Sequence, residues 1–168
     1  MHTALYCVVL CVLFNSWRRR LIMVTTNESE LIIRTFQRQD EDQVVVLWEK
    51  CGLVRPWNDP RKDIHRKLEV GVDLFLVGEW RGHPAATVMG GYEGHRGWVN
   101  YLAVDPQYQG SGWGRALMDE LQRRLLALGC PKINLQIRKD NLAAIGFYTA
   151  LGYLEDQSLS MGKRLIPD

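Results

Sequence analysis

The chain has 168 residues, 46% of them hydrophobic and 24% charged. That balance fits one domain around a single core and argues against disorder, a collagen-like repeat or a coiled coil. Twenty-one Lys and Arg against nineteen Asp and Glu leave a net charge of +2, with no basic stripe of the kind a nucleic-acid binder carries.

Residues 4–14 form an apolar run, followed by Trp17 and the triplet Arg18, Arg19, Arg20. A transmembrane helix needs roughly 20 apolar residues, so no stable membrane span is expected. A signal peptide places its positive charge before the apolar stretch, whereas here it follows. A short interfacial anchor is the alternative. Met23 opens a polar stretch, so residues 1–22 read as the product of an upstream start codon or as lying outside the fold. The boundary is drawn with an N-terminal extension over 1–29 and the folded domain over 30–168. Cys7, Cys11, Cys51 and Cys130 form neither a CxxC pair nor a zinc-spaced Cys/His cluster, so the expectation is free thiols, no metal and a reducing cytoplasm.

Residues 31–36 are apolar and β-branched and predict a strand. Asp40 can cap a helix to about Cys51, with Val44, Leu47 and Trp48 at helical spacing. A loop bounded by Pro56 and Pro60 leads to a more polar helix reaching about Val70. Two strands, 73–79 and 84–92, are joined by a tight turn at Arg81-Gly82. A fourth strand covers 98–104. The clearest helix runs 112–128, with Leu117, Leu121, Leu125 and Leu128 on one face and Gly129 as its stop. Alternation over 132–138 predicts a fifth strand, Asn141 caps a helix to Leu151, and a last strand spans 154 to about 164. The mixed order predicts one α/β (α+β) domain with a largely antiparallel sheet.

The most informative stretch is Leu102-Ala103-Val104-Asp105-Pro106-Gln107-Tyr108-Gln109-Gly110-Ser111-Gly112-Trp113-Gly114-Arg115. A strand enters a loop with three alternating glycines, and the loop opens onto an amphipathic helix. Free N–H groups and the positive dipole end make this an anion site, and glycines admit a phosphate close to the backbone. A dinucleotide fingerprint fails because Arg115 stands where the last glycine belongs, and Gly114-Arg115-Ala116 does not supply a P-loop. The alternative is a turn that only packs a helix on a sheet.

Gln109-x-x-Gly112-x-Gly114 after Val104-Asp105-Pro106 resembles the acyl-CoA pyrophosphate motif of the GNAT superfamily of N-acetyltransferases. The segment from Asn141 through Phe147, Tyr148 and Gly152 to Tyr153 resembles the second motif of that family. The likeness covers about residues 31–166, and 53–59 with 88–97 further resemble the bacterial YpeA-type acetyltransferases. The resemblance implies a GNAT-like fold, a mixed, mostly antiparallel sheet splayed between the fourth and fifth strands and flanked by helices. It also implies acetyl-CoA as co-substrate, with no metal, and transfer of its acetyl group to a small-molecule amine or a protein amine.

In that reading the pantetheine arm pairs with the backbone of Leu102, Ala103 and Val104, a bulge aims that strand outward, and Gln109, Gly110, Ser111, Gly112, Trp113, Gly114 and Arg115 hold the pyrophosphate. Asn141 contacts the cofactor arm or serves only as an N-cap. Tyr148 matches the tyrosine that protonates the leaving thiolate, and its helical spacing also suits simple packing. The fourth strand carries no carboxylate, so Glu93, His95, Tyr101 and a strand-held water are the candidate bases. Trp57 and Asp59 are placed beside the acceptor; the plainer roles are a core plug for Trp57, a helix cap for Asp59 and a solvated loop for His95. Transfer to protein N-termini and a non-catalytic acyl-CoA-binding module are the competing readings. The resemblance implies a cytoplasmic monomer or homodimer.

Overall fold

A computed structural model describes residues 30–166; the N-terminal apolar run, the arginine triplet, Met23, Cys7 and Cys11 lie outside them. Five strands follow one another in space as in sequence: β1 (Ile32–Thr35), β2 (Phe75–Trp80), β3 (His83–Tyr92), β4 (Gly97–Val104) and β5 (Ile133–Leu135). The first three pairings are antiparallel and the last is parallel. The β2–β3 turn uses Arg81 and Gly82, both at positive φ, which matches the twist of a two-residue hairpin.

Helices cover both faces. On one face α1 (Glu41–Lys50) and α2 (Pro60–Val70) bury Val44, Leu47, Trp48 and Ile64 against Phe75, Val77, Met89 and Ala103. On the other, α3 (Trp113–Ala127) sets Leu117, Met118, Leu121 and Leu125 against Leu74, Leu76, Ala86, Val88 and Val99. The leucine periodicity of α3 therefore marks its buried stripe up to Leu125, whereas Leu128 is exposed beyond the last turn. The short helix α4 (Leu142–Ala150) rests Phe147 and Tyr148 on the same cluster.

Three expectations change. Asp40 is buried and makes no side-chain cap on α1. Its carboxylate accepts from the Gln37 N–H at 2.8 Å and pairs with Arg34 at 2.7 and 2.8 Å, while Arg34 also reaches Glu79 at 2.7 Å. Burial raises the Asp40 pKa, but the Arg34 guanidinium and the Gln37 N–H together outweigh it and hold the carboxyl below its ordinary value. The fifth strand shrinks to three residues because its ladder with β4 ends at Val99↔Leu135.

The last strand does not form. Beyond β5 there is too short a paired edge to template it, and Leu154, Leu159, Met161 and Leu165 stand at least 85% exposed. Side chains attach the segment instead, through Lys132 to Asp156 at 2.5 Å and Gln136 to Ser160 at 2.5 Å. Among the described residues no helix is long and apolar enough to cross a membrane.

Candidate active site

Where β4 and β5 part, the sheet opens into a gap. Pairing covers Gly97↔Ile133 through Val99↔Leu135, and among the described residues the rest of β4 has no strand partner on that side. The cause lies in β4. Its register with β3 runs Met89↔Asn100 and then Thr87↔Ala103, so one extra residue is accommodated, and Tyr101 takes a φ of 50°. Such a left-handed conformation costs a non-glycine residue about 1–3 kcal/mol and has to be held in place. Past the bulge the Asp105 N–H donates to the Ala85 carbonyl at 2.9 Å. By strand alternation Ala103 shares that side, leaving the N–H and C=O of Leu102 directed toward the gap.

The glycine loop closes one end of the gap. Gly110 and Gly112 have φ of 83° and 88°, and an added Cβ at either would meet nothing within 4 Å. These glycines are therefore needed for backbone conformation and an open approach, not for packing. Gly112 heads α3 without a side-chain cap. The helical ladder starts with Ala116 N–H to Gly112 O at 3.0 Å, so the amides of Trp113, Gly114 and Arg115 belong to the uncapped first turn. Gly114 does pack: a Cβ there would lie 3.2 Å from the Phe147 ring. This cradle suits a pyrophosphate, because its donors are backbone amides and side chains leave its surface clear.

The other loop side chains brace the cradle. Gln109 Nε2 donates to the Val104 carbonyl at 3.1 Å and Ser111 Oγ to the Tyr108 carbonyl at 2.5 Å. Trp113 joins Tyr108 and Trp80 in an aromatic cluster with centroids 4.6 to 6.2 Å apart. Arg115 reaches the carbonyl of Ala150, the last residue of α4, at 3.1 Å. Asn141 caps α4 by accepting from Ala144 N–H at 3.0 Å.

Tyr148 lies edge-on to Phe147 and Tyr153, and its hydroxyl has no hydrogen-bond partner among the described residues. Burial, with a smaller contribution from Tyr153, pushes its pKa above the ordinary tyrosine value. Leu102, Val104, Trp113 and Tyr148 all rim the α3-face cluster. The gap, the cradle and the phenol thus share one support.

The acceptor-side candidates divide. Glu93 folds back on its own loop and accepts from the N–H groups of His95 at 2.6 Å and Arg96 at 2.9 Å. Those bonds, led by Arg96, hold its carboxyl below the usual range, which makes it a poor proton acceptor. His95 is exposed, as is Trp57 at 59%, so Trp57 is no core plug. Asp59 is the N-cap of α2, accepting from Arg61 and Lys62. Tyr101 is the one built into a network. Its ring stacks on Trp48 with centroids 3.9 Å apart, and its hydroxyl donates to Asp63 at 2.7 Å and accepts from Asn58 at 2.8 Å.

Sequence reasoning passed over Asp63 and Thr87, and took Trp48 only as a helix-spaced apolar residue and Asn58 only as part of the loop between Pro56 and Pro60. Asp63 stands 38 residues from Tyr101 on the more polar helix, so no spacing linked them. Thr87 did carry a signal, one hydroxyl inside the apolar run Ala85-Ala86-Thr87-Val88-Met89. Asn58 and Arg66 also line an open cavity with residues 162–166.

The family described as Acetyltransferase (GNAT) family matches residues 35–153. An acetyltransferase of Yersinia pestis (strain Pestoides F) is 51% identical over 136 residues, 81% of this chain and 96% of that protein. A Yersinia pestis protein described as an uncharacterized N-acetyltransferase matches to the same extent. The ribosomal-protein-S18-alanine N-acetyltransferase from Escherichia coli shares the fold, with a TM-score of 0.64 at 23% identity over 76% of this chain and 80% of that one. So does AAC(6')-Iy in complex with the bisubstrate analogue CoA-S-monomethyl-acetylneamine, with a TM-score of 0.66 at 17% identity over 81% and 99%.

Proposed function

The chain belongs to the acetyltransferase (GNAT) family and is an acetyl-CoA-dependent N-acetyltransferase; on that footing we propose that residues 30–168 acetylate a primary amine by direct attack in a ternary complex. One observation carries this reading: the unpaired Leu102 backbone, the amide cradle and Tyr148 surround a single apolar cluster. Leu102 would bind the pantetheine arm through its carbonyl, as an added strand does. The amides of residues 112–115 would hold the pyrophosphate, with Asn141 at the head of α4 beside the arm.

The amine nitrogen bonds to the acetyl carbon, and the carbon–sulfur bond breaks. Holding both reactants in one cleft supplies much of the rate. The Leu102 N–H faces the charge that develops on the carbonyl oxygen. Tyr148, kept protonated by its burial, donates its proton to the departing sulfur and is reprotonated by solvent. A strand-held water takes the proton that the acceptor ammonium loses, while Asp63 and Tyr101 hold the acceptor from the other side.

Calorimetric titration of the protein with acetyl-CoA, using NADH and ATP as controls, tests the cofactor assignment. Selective binding of about one acetyl-CoA per chain is expected, followed by mass-spectrometric detection of acetylated products from panels of small amines and peptides. Absence of acetyl-CoA binding would remove the assignment. Turnover confined to peptides would redirect the acceptor to protein N-termini.

A further inference from the structure

We propose that Thr87 is a positioning residue for acetyl transfer: its buried hydroxyl fixes the Tyr101–Leu102 peptide so that the Leu102 N–H meets the acetyl carbonyl. The proposal rests on the reading that acetyl-CoA occupies the gap beside β4.

The relay has a fixed direction. Trp48 Nε1 lies 2.8 Å from Thr87 Oγ1, and Thr87 Oγ1 lies 3.1 Å from the Tyr101 carbonyl oxygen. An indole N–H can only donate and a carbonyl can only accept. The single hydroxyl proton of Thr87 therefore points at Tyr101, and its lone pair takes the indole proton. Both Trp48 and Thr87 are fully buried, so no solvent molecule can replace either bond.

Neither residue borders the gap, and their effect passes through one peptide plane. The peptide bonds are trans, and a trans unit sets its C=O and the following N–H on opposite sides. Holding the Tyr101 carbonyl toward Thr87 on β3 therefore directs the Leu102 N–H away from β3, into the space that β5 leaves unpaired. The hold matters because Tyr101 sits at a φ of 50°, from which an L-residue relaxes toward extended geometry unless restrained. That relaxation turns this peptide. The stack of Trp48 on Tyr101 restrains the same residue from its ring.

Acetyl-CoA and CoA differ only in the acetyl group, so amide NMR with the two ligands isolates the proposed contact. In the native protein the Leu102 amide proton should move downfield with acetyl-CoA relative to CoA. Thr87→Ser keeps the hydroxyl and should retain that difference. Thr87→Val keeps the shape and should lose it, while the amides of residues 112–115 respond to both ligands as before.

A Leu102 difference that survives in Thr87→Val overturns the proposal, as does a native protein whose Leu102 fails to distinguish the ligands while residues 112–115 respond. If residues 112–115 respond to neither ligand, the cofactor assignment itself falls and takes the proposal with it. Should Thr87→Val fail to fold, Trp48→Phe removes only the indole donor and keeps a stacked ring. It should shrink the Leu102 difference, and an unchanged difference there counts against the relay.

Discussion

The two faces of the sheet are packed by different rules. Under α3 and α4 the cluster is apolar throughout, and the functional atoms on its rim are backbone amides plus one phenol. Under α1 and α2 the apolar cluster is crossed by a chain of polar side chains, from Trp48 through Thr87 to the Tyr101 peptide and from Tyr101 to Asp63 and Asn58. A site made of backbone is sensitive to any added Cβ and tolerant of side-chain chemistry. A site made of side chains behaves in the opposite way, because removing one partner leaves the other unpaired away from water.

The largest test of this contrast is Gly112→Glu. A side chain at a φ of 88° is strained, and a carboxylate stands where a phosphate should bind. Acetyl-CoA binding should vanish in calorimetry while circular dichroism still reports a folded chain; unchanged affinity would break the backbone half of the comparison. Next in size is Tyr148→Phe, which keeps the ring and removes the acid. It should lower kcat by about 100-fold and leave the Kd for acetyl-CoA unaltered. Because burial raises the Tyr148 pKa, its alkaline loss of activity should begin only above the ordinary tyrosine value of about 10.

Asp63→Asn probes the other face. It preserves size but removes the charge beside Tyr101, and should raise the KM of a cationic acceptor about tenfold, a size expected for one charge-assisted hydrogen bond. The same Kd for acetyl-CoA in both proteins would show that the Asp63 contact acts separately from cofactor binding. The smallest effect expected is an acid limb in stability. Arg123, helped by Arg124, pulls the Glu120 carboxyl down to about 2. A depressed folded pKa stabilises above the unfolded value of about 4.3 and is lost as pH falls toward the folded one. The melting temperature should therefore drop between about pH 4 and 2, and slightly less steeply in Glu120→Gln, since the pair is partly solvated.

Legibility in the sequence follows the same division. The glycine loop, α3 and the Asn141 cap depend on residues within a few positions of each other, so their spacing revealed them. The Tyr101 network depends on residues 14 to 43 positions apart, which only the packing of α1, α2 and their loop on the sheet brings together. Asp40 misled because a residue with a good capping side chain was claimed by Arg34. The last strand was expected over 154 to about 164 and does not form, because pairing needs an edge and β5 ends after three residues.

Arg115 at the start of α3 holds the last carbonyl of α4, and Phe147 packs against Gly114. The cradle and the helix carrying Tyr148 are thus clamped as one rigid part at two points. For protein engineering this sets the smallest transferable unit: a graft of the loop and α3 alone would arrive without its floor, and a graft of α4 alone without its anchor. Shortening the connection around β5 would pull against that clamp, whereas lengthening it would leave the phenol and the cradle in register.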